Sequence, residues 1–208
     1  MHGTTLAFLL AACALNVFAA SNAELSVTGT ITPSACLPAL SQHGVIDYGK
    51  IPARDLNPNT FTPLPTTTLQ AGVDCEASTL FALRLADNRA GSSASAPSGF
   101  GLGRNNGTEK LGVFHVVLHS PLADNAPITQ LQSLNEGRSW VVVGKDVALP
   151  ALRLAAFGDA SSGVWAPLMI RDLTVEMAVK TFIAPAQDLT LDHEVPLDGY
   201  ATLDLIYL

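Results

Sequence analysis

The sequence predicts an all-β domain, a sandwich of two antiparallel sheets. Thirteen prolines and sixteen glycines interrupt the 208-residue chain too often for long helices. Short segments in which apolar and polar residues alternate lie between these interruptions, which is the pattern of half-buried strands. Hydrophobic residues make up 48% of the chain and charged residues only 14%, so the chain can bury a core.

The first 23 residues are predicted to be a secretory signal peptide. Residues 4–20 are almost wholly apolar, carry no charged side chain, and are followed by the small residues of Ser21-Asn22-Ala23. The run is short for a membrane-spanning helix, which needs roughly 20 apolar residues. We therefore expect an exported mature domain over residues 24–208. Cys13 also leaves lipoprotein processing open as an alternative.

Two cysteines remain if cleavage follows Ala23, namely Cys36 and Cys75. A cysteine pair in an exported protein predicts one disulfide, because the compartments outside the cytoplasm are oxidising. The bond would close a loop of about 40 residues, which is worth on the order of 4 kcal/mol in the chain-entropy model.

Strands are expected along most of the mature chain. Residues 25–31 alternate apolar side chains with Ser and Thr and stop before Pro33, which predicts the first strand. Residues 88–107 are rich in Gly, Ala and Ser and end in the hairpin dipeptide Asn106-Gly107, which predicts a surface loop. Residues 128–137 are expected to form a short helix, and residues 149–157 fit either a helix or a strand. Further strands are predicted at residues 45–51, 66–75, 79–85, 111–119, 140–143, 173–183 and 199–208.

Composition and motifs argue against several classes of function. The net charge of −7 is unsuited to nucleic acid binding. No serine has a glycine two residues away on both sides, as the nucleophile elbow of a serine hydrolase requires. His115 and His119 would lie about 13 Å apart on a strand, too far to share one metal ion. We therefore expect a protein that is not an enzyme and has no metal or cofactor.

Two further patterns have plainer interpretations than a ligand site. The glycines of residues 99–107 precede a hairpin turn, whereas a phosphate-binding loop would open a helix. The acidic side chains near the carboxyl terminus lack the dense spacing of a calcium loop, and we interpret them as a solvated face. These acidic residues are Asp188, Asp192, Glu194 and Asp198.

Motifs at both ends of the chain resemble subunits of bacterial chaperone–usher fimbriae. They are LSVTGTITPSAC at residues 25–36, VIDYGKI at residues 45–51, the second cysteine Cys75, and GYATLDLIYL at residues 199–208. In that family a Gly-containing apolar strand leads into the first cysteine, and a tyrosine is penultimate, as Tyr207 is here. The resemblance is strongest to exported fimbrial-like proteins sometimes labelled beta-fimbrial subunits, over residues 24–208.

This resemblance implies an immunoglobulin-like sandwich that lacks its last strand. A periplasmic chaperone, and then a neighbouring subunit delivered through an usher, would lend a strand to the open edge. The implied location is the periplasm and then the cell surface, where a host or surface receptor is a further partner. The alternative is an ordinary sandwich whose last strand lies at a sheet edge. The residues implied at the open edge are Gly199, Ala201, Leu203, Leu205, Tyr207 and Leu208.

The chain departs from the family pattern at two places. Only Glu24 precedes the alternating residues 25–31, which align best with the first strand, so a donor extension is expected to be missing. Such a subunit would receive a strand without giving one, which suits the distal tip of a fibre or a non-polymerising relative better than a repeating shaft. Gly199 lies nine residues before the carboxyl terminus, closer than the corresponding glycine of the family, which leaves the register of the last strand open.

Two other functions remain as alternatives. The first is a self-contained binding module of the periplasm or cell surface, for carbohydrate for example, although two Trp and three Tyr supply little aromatic surface. The second is a secreted hydrolase, which would need paired titratable residues in a cleft.

Overall fold

The computed structural model describes residues 25–29, 35–95 and 99–208, and strands dominate it. Residues 33–208 form one unit, which contains every strand of the described chain. Short 3-10 helices occur at Ser41–Gly44, Ala53–Asp55 and Ala186–Asp188. Within the described ranges, no helix is both long enough and apolar enough to span a membrane. The strands are β1 (Cys36–Leu40), β2 (Thr62–Pro63), β3 (Thr67–Thr79), β4 (Phe81–Asp87), β5 (Phe100–Gly101), β6 (Arg104–Asn105), β7 (Glu109–Lys110), β8 (Gly112–Ala123), β9 (Ala126–Pro127), β10 (Thr129–Ser133), β11 (Val141–Val142), β12 (Leu154–Asp159), β13 (Ala166–Pro167), β14 (Ile170–Ile183) and β15 (Ala201–Tyr207).

The strands form two main antiparallel sheets and one small hairpin. The first sheet has the order β1-β3-β14-β8-β5, with β2 paired to β14 and β9 paired to β8. The second sheet has the order β11-β10-β12-β4-β15, with β13 paired to β12, and β6 and β7 form the hairpin. The predicted all-β sandwich of antiparallel sheets is confirmed.

Period-two alternation in the long strands builds the core. On β3 the side chains of Leu69, Ala71, Val73 and Cys75 are all buried, while the intervening residues are more exposed. These residues belong to one core cluster with Leu83, Leu85 and Phe157 of the second sheet. The cluster therefore draws side chains from both sheets, as the alternation predicts.

The predicted disulfide joins Cys36 to Cys75. The two residues face each other in the ladder between β1 and β3, and both are buried. The bond ties β1, an edge strand, to the interior of the first sheet.

The predicted strand at residues 25–31 is not observed where the structure describes it. Residues 25–29 belong to no strand and are exposed, while residues 30–34 lie outside the described residues. An alternating pattern specifies a strand only where a neighbouring strand pairs with it, and residues 25–29 have no such pairing. The predicted signal peptide and Cys13 also lie outside the described residues.

The predicted strand at residues 45–51 is likewise wrong. The backbone amide of Gly49 donates to Asp47 Oδ1 over 2.8 Å, and Gly49 has a φ of +62°, which closes a local turn. The turn breaks the extended conformation, and no strand of the described chain pairs with this segment.

The middle of the chain contains two further corrections. Residues 128–137 form the strand β10 and a turn instead of a helix, because β10 pairs with both β11 and β12 and buries Leu131. The predicted surface loop at residues 88–107 is partly interior, since Phe100 and Leu102 are buried. Its hairpin turn is confirmed, with Asn106 and Gly107 both at positive φ.

Candidate strand-accepting groove

The last strand, β15, has only one paired edge among the described residues. It pairs antiparallel with β4 along its whole length, from Ala201 opposite Asp87 to Tyr207 opposite Phe81. No described strand hydrogen-bonds to its other edge. This free edge exposes unpaired backbone groups that a further strand would satisfy.

Burial changes sharply between β4 and β15. On β4 the inward side chain of Leu83 is 1% exposed. On β15 the inward side chains of Ala201, Leu203 and Leu205 pack against the same core cluster but are only partly buried. The core is therefore incompletely covered beside β15.

The edge strand β1 bounds the same region from the first sheet. It pairs only with β3 among the described strands. At the disulfide end, the Cys36 backbone amide donates to the Tyr207 hydroxyl over 3.1 Å, which links the start of β1 to the end of β15. The two free edges therefore belong to different sheets and are bridged at one end by this hydrogen bond.

A cavity of about 910 Å³ lies between two segments that contain no strand, residues 46–56 and residues 189–197. Its lining is largely apolar, and the second segment leads directly into β15. Ile183, at the end of β14 farthest from the disulfide, also lines it. We call the cavity and the free edge of β15 together the groove. The apolar lining residues include Ile46, Ile51, Leu56, Leu189, Leu191 and Val195.

Glu109 fixes one wall of the cavity. Its carboxylate accepts hydrogen bonds from the Thr190 backbone amide over 2.8 Å and from the Thr190 hydroxyl over 2.7 Å. These bonds, with those from the side chains of Asn106 and Asn105, lower the pKa of Glu109 to about 2. Thr190 points outward between two leucines of the lining, so its attachment to Glu109 sets the position of that wall.

The other wall is tied to the sandwich by Tyr48. Its hydroxyl donates to Thr181 Oγ1 of β14 over 2.9 Å. An exposed ion pair joins Lys50 Nζ to Glu194 Oε1 over 2.7 Å and connects the two walls. Exposed pairs of this kind contribute little, roughly 0–1 kcal/mol, so the walls are joined only weakly across the cavity.

The start of β15 is held by a bidentate ion pair. Arg89 donates through Nε and Nη2 to the two carboxylate oxygens of Asp198, each over 2.7 Å. This contact lowers the pKa of Asp198 and raises that of Arg89. The next residue, Gly199, approaches Leu102 so closely that a Cβ there would lie 2.9 Å from Leu102 Cδ2.

The structure places the predicted edge residues on one element and its flanks. Gly199 lies two residues before β15, and the Leu208 backbone amide donates to the Leu80 carbonyl over 3.1 Å. The four other residues lie within β15: Ala201, Leu203, Leu205 and Tyr207.

Sequence reasoning missed the cavity walls and the contacts that hold them. The acidic run was interpreted as a solvated face and its four residues are exposed, but the ion pairs of Asp198 and Glu194 with partners more than 100 residues away were not predicted. The alternation of Leu189, Thr190 and Leu191 was the one available signal for an apolar wall. No local pattern connects Glu109 to Thr190.

The histidines do not form a metal site in the described chain. Residues of the described ranges contain no group of three or more His, Cys, Asp or Glu side chains placed to hold a metal ion. His115 Nδ1 is buried without a hydrogen-bond partner, and burial, together with the nearby Lys180 charge, lowers the pKa of His115. His119 instead lies 3.8 Å from Asp146.

Comparison with known proteins gives matches of uncharacterised function. A family described as "Protein of unknown function (DUF1120)" matches residues 25–108, which include Cys36, Cys75 and the strands β1, β3 and β4. The chain is 25% identical to the "Uncharacterized protein YhcF" of Escherichia coli (strain K12), covering 94% of each chain. It is 23% identical to the "Protein GltF" of the same organism, over 98% of this chain and 97% of that protein.

Proposed function

We propose that this protein is an exported, fimbrial-like structural subunit whose sandwich is completed by a strand from another polypeptide. A periplasmic chaperone would supply that strand first, and a neighbouring subunit delivered through an usher would replace it. The observation that carries the proposal is the free edge of β15, whose inward side chains are only partly buried. The buried Cys36–Cys75 disulfide is compatible with export to an oxidising compartment.

An added strand would correct two features of this edge, its unpaired backbone groups and its incompletely covered core. An added strand supplies backbone hydrogen bonds to the free side of β15, and its alternate side chains enter the space above the exposed core. The cavity beside residues 189–197 is apolar and could take the side chains of such a strand. An ordinary sandwich also has edge strands, so the feature that favours strand addition is the partial burial of the inward side chains of β15.

Residues 25–29 support a role for the chain as a strand donor as well. Leu25 is 91% exposed and Val27 89% exposed, and neither belongs to a strand. Apolar side chains at alternate positions are what a donated strand presents to a groove. Placement at a fibre tip was expected because residues 25–31 were interpreted as the first strand of this sandwich. Since residues 25–29 join no strand, the proposal extends to repeating positions in the fibre.

The test is export of the chain with and without a fimbrial chaperone from the same genome. We expect much of the chain exported alone to be lost to proteolysis or aggregation, and the folded remainder to unfold at a lower temperature than the one-to-one complex formed with the chaperone. Replacing Tyr207 with Ala and deleting Leu208 should lower periplasmic accumulation, because these residues end the strand that the chaperone would pair with. Thr202→Ala, at an exposed position near the start of β15, is the control. A chain that accumulates and resists unfolding equally well with and without the chaperone would contradict the proposal.

A self-contained binding module is the second candidate, and the cavity favours it. A volume of about 910 Å³ falls within the range of small-molecule sites. The largely apolar lining fits an apolar ligand better than a carbohydrate. Stable behaviour of the chain alone would support this second function.

A further inference from the structure

The turn between β12 and β14 carries four exposed apolar side chains within six residues. Val164 is 66% exposed, Trp165 40%, Leu168 39% and Met169 63%. We call these four residues the turn patch. Clustered exposed apolar side chains mark interaction surfaces, and Trp and Met are enriched at the centres of protein interfaces.

The backbone holds the turn patch in a fixed conformation. Gly158 approaches β13 so closely that a Cβ there would lie 1.9 Å from the Ala166 carbonyl oxygen. The Leu168 amide donates to the Phe157 carbonyl over 3.0 Å, and the Asp159 carboxylate closes the turn by accepting from Ser161. A surface held in this way loses little conformational entropy on binding.

The turn patch lies at the disulfide end of the first sheet. The carboxyl-terminal end of β3 pairs with β1 on one side, Cys75 opposite Cys36, and with β14 on the other, Thr79 opposite Ile170. Met169 immediately precedes Ile170. The patch therefore lies at the same end of the sandwich as Cys36. Residues 25–31 are connected to the sandwich through Cys36.

Chain length then limits where a second copy can lie. Five peptide steps separate Ile31 from Cys36, and they span at most about 18 Å. If the neighbouring subunit of the proposed function is a second copy whose β15 pairs with residues 25–31, that copy must lie within this distance of the disulfide end. The surface facing it is the end that carries the turn patch.

We infer that the turn patch is a contact surface for a second copy of this chain, packing against its body beside the groove that receives residues 25–31. The inference rests on the proposed function. Four side chains cannot supply the roughly 800 Å² per partner that a stable interface buries. The patch therefore adds to strand donation and does not replace it.

The test separates the patch from the donated strand by sedimentation velocity on the exported, purified full chain. W165S/M169S should weaken self-association at least tenfold relative to the unsubstituted protein. V141S/V142S, which changes two other exposed valines on β11, is the matched control and should leave self-association unchanged. L25D/V27D, which removes the apolar side chains of the donor segment, should abolish self-association.

A peptide-binding measurement distinguishes failure of the patch inference from failure of strand donation. A fluorescent peptide of residues 25–31, LSVTGTI, should bind the L25D/V27D protein equally well with and without W165S/M169S. Self-association that is unaffected by W165S/M169S, in a protein that binds the peptide, would overturn the patch inference and leave the proposed function standing. A protein that neither binds the peptide nor self-associates would overturn the patch inference and the strand-donor role of residues 25–31, and the export experiment with the chaperone would still test the proposed function. Self-association lost in W165S/M169S but kept in L25D/V27D would support the patch and contradict strand donation.

Discussion

β4 and β15 are neighbours in one sheet, but their surroundings differ. β4 lies between β12 and β15 and buries Leu83 and Leu85. β15 pairs with β4 alone among the described strands, and its inward Leu203 and Leu205 stay partly exposed. Both strands carry alternating leucines, so the difference comes from the number of neighbouring strands and not from the side chains. The region around β15 is therefore where a partner has most to contribute.

Removal of the disulfide is expected to have the largest effect on the free energy of unfolding. C36A/C75A removes the covalent link that holds the free edge of β1 to β3, and we expect the free energy of unfolding to fall by about 4 kcal/mol in the chain-entropy model. Urea unfolding of the two proteins measures the loss. An unchanged midpoint of urea unfolding would mean that the strand pairing with β3 alone holds β1 in place.

Leucine truncation on the two strands tests the comparison directly. Leu83→Ala should cost about 3 kcal/mol, because it removes a fully buried side chain. Leu203→Ala should cost about half of that in the chain alone, since its side chain is already partly in water. Chemical unfolding with a bound donor strand should bring the cost of Leu203→Ala closer to that of Leu83→Ala. Equal costs in the unbound chain would show that β15 is already covered.

The smallest expected effect is on the stability of the folded protein at acid pH, and it arises from Glu109 at the cavity wall. Hydrogen bonds from Thr190 lower the pKa of Glu109 in the folded protein to about 2, below its ordinary value of 4.5. The stability that these bonds provide is therefore complete above about pH 4.5 and is lost as the pH falls from there toward 2. Unfolding midpoints of wild type and E109Q should converge in this range. A constant difference between them would contradict the assignment.

Regular alternation made much of the fold predictable. β3 and β14 could be located from sequence because their buried side chains recur at every second residue over long stretches. The disulfide was predictable from two cysteines in a chain that was expected to be exported. Residues 25–31 show the same alternation and yet residues 25–29 join no strand, because pairing depends on partners that are remote in sequence.

The walls of the groove were less predictable for the same reason. Residues 45–51 carry strand-forming side chains, but the turn at Gly49 and the lack of a described partner strand leave them outside both sheets. The hydrogen bonds that Thr190 donates to Glu109, and those that Arg89 donates to Asp198, join residues 81 and 109 positions apart. Only folding brings these side chains together, so no short motif encodes the site.

The ladder between β4 and β15 also bears on the rate of folding. Arg84 on β4 forms an ion pair with Asp204 on β15 across 120 residues of sequence. Contacts between such distant residues close slowly, because the loop entropy is lost before the contact energy is gained. Because the chain is synthesised from its amino terminus, the second edge of β4 stays unpaired until almost all of the remaining chain has been made. We expect folding in milliseconds to seconds, with aggregation competing throughout that interval.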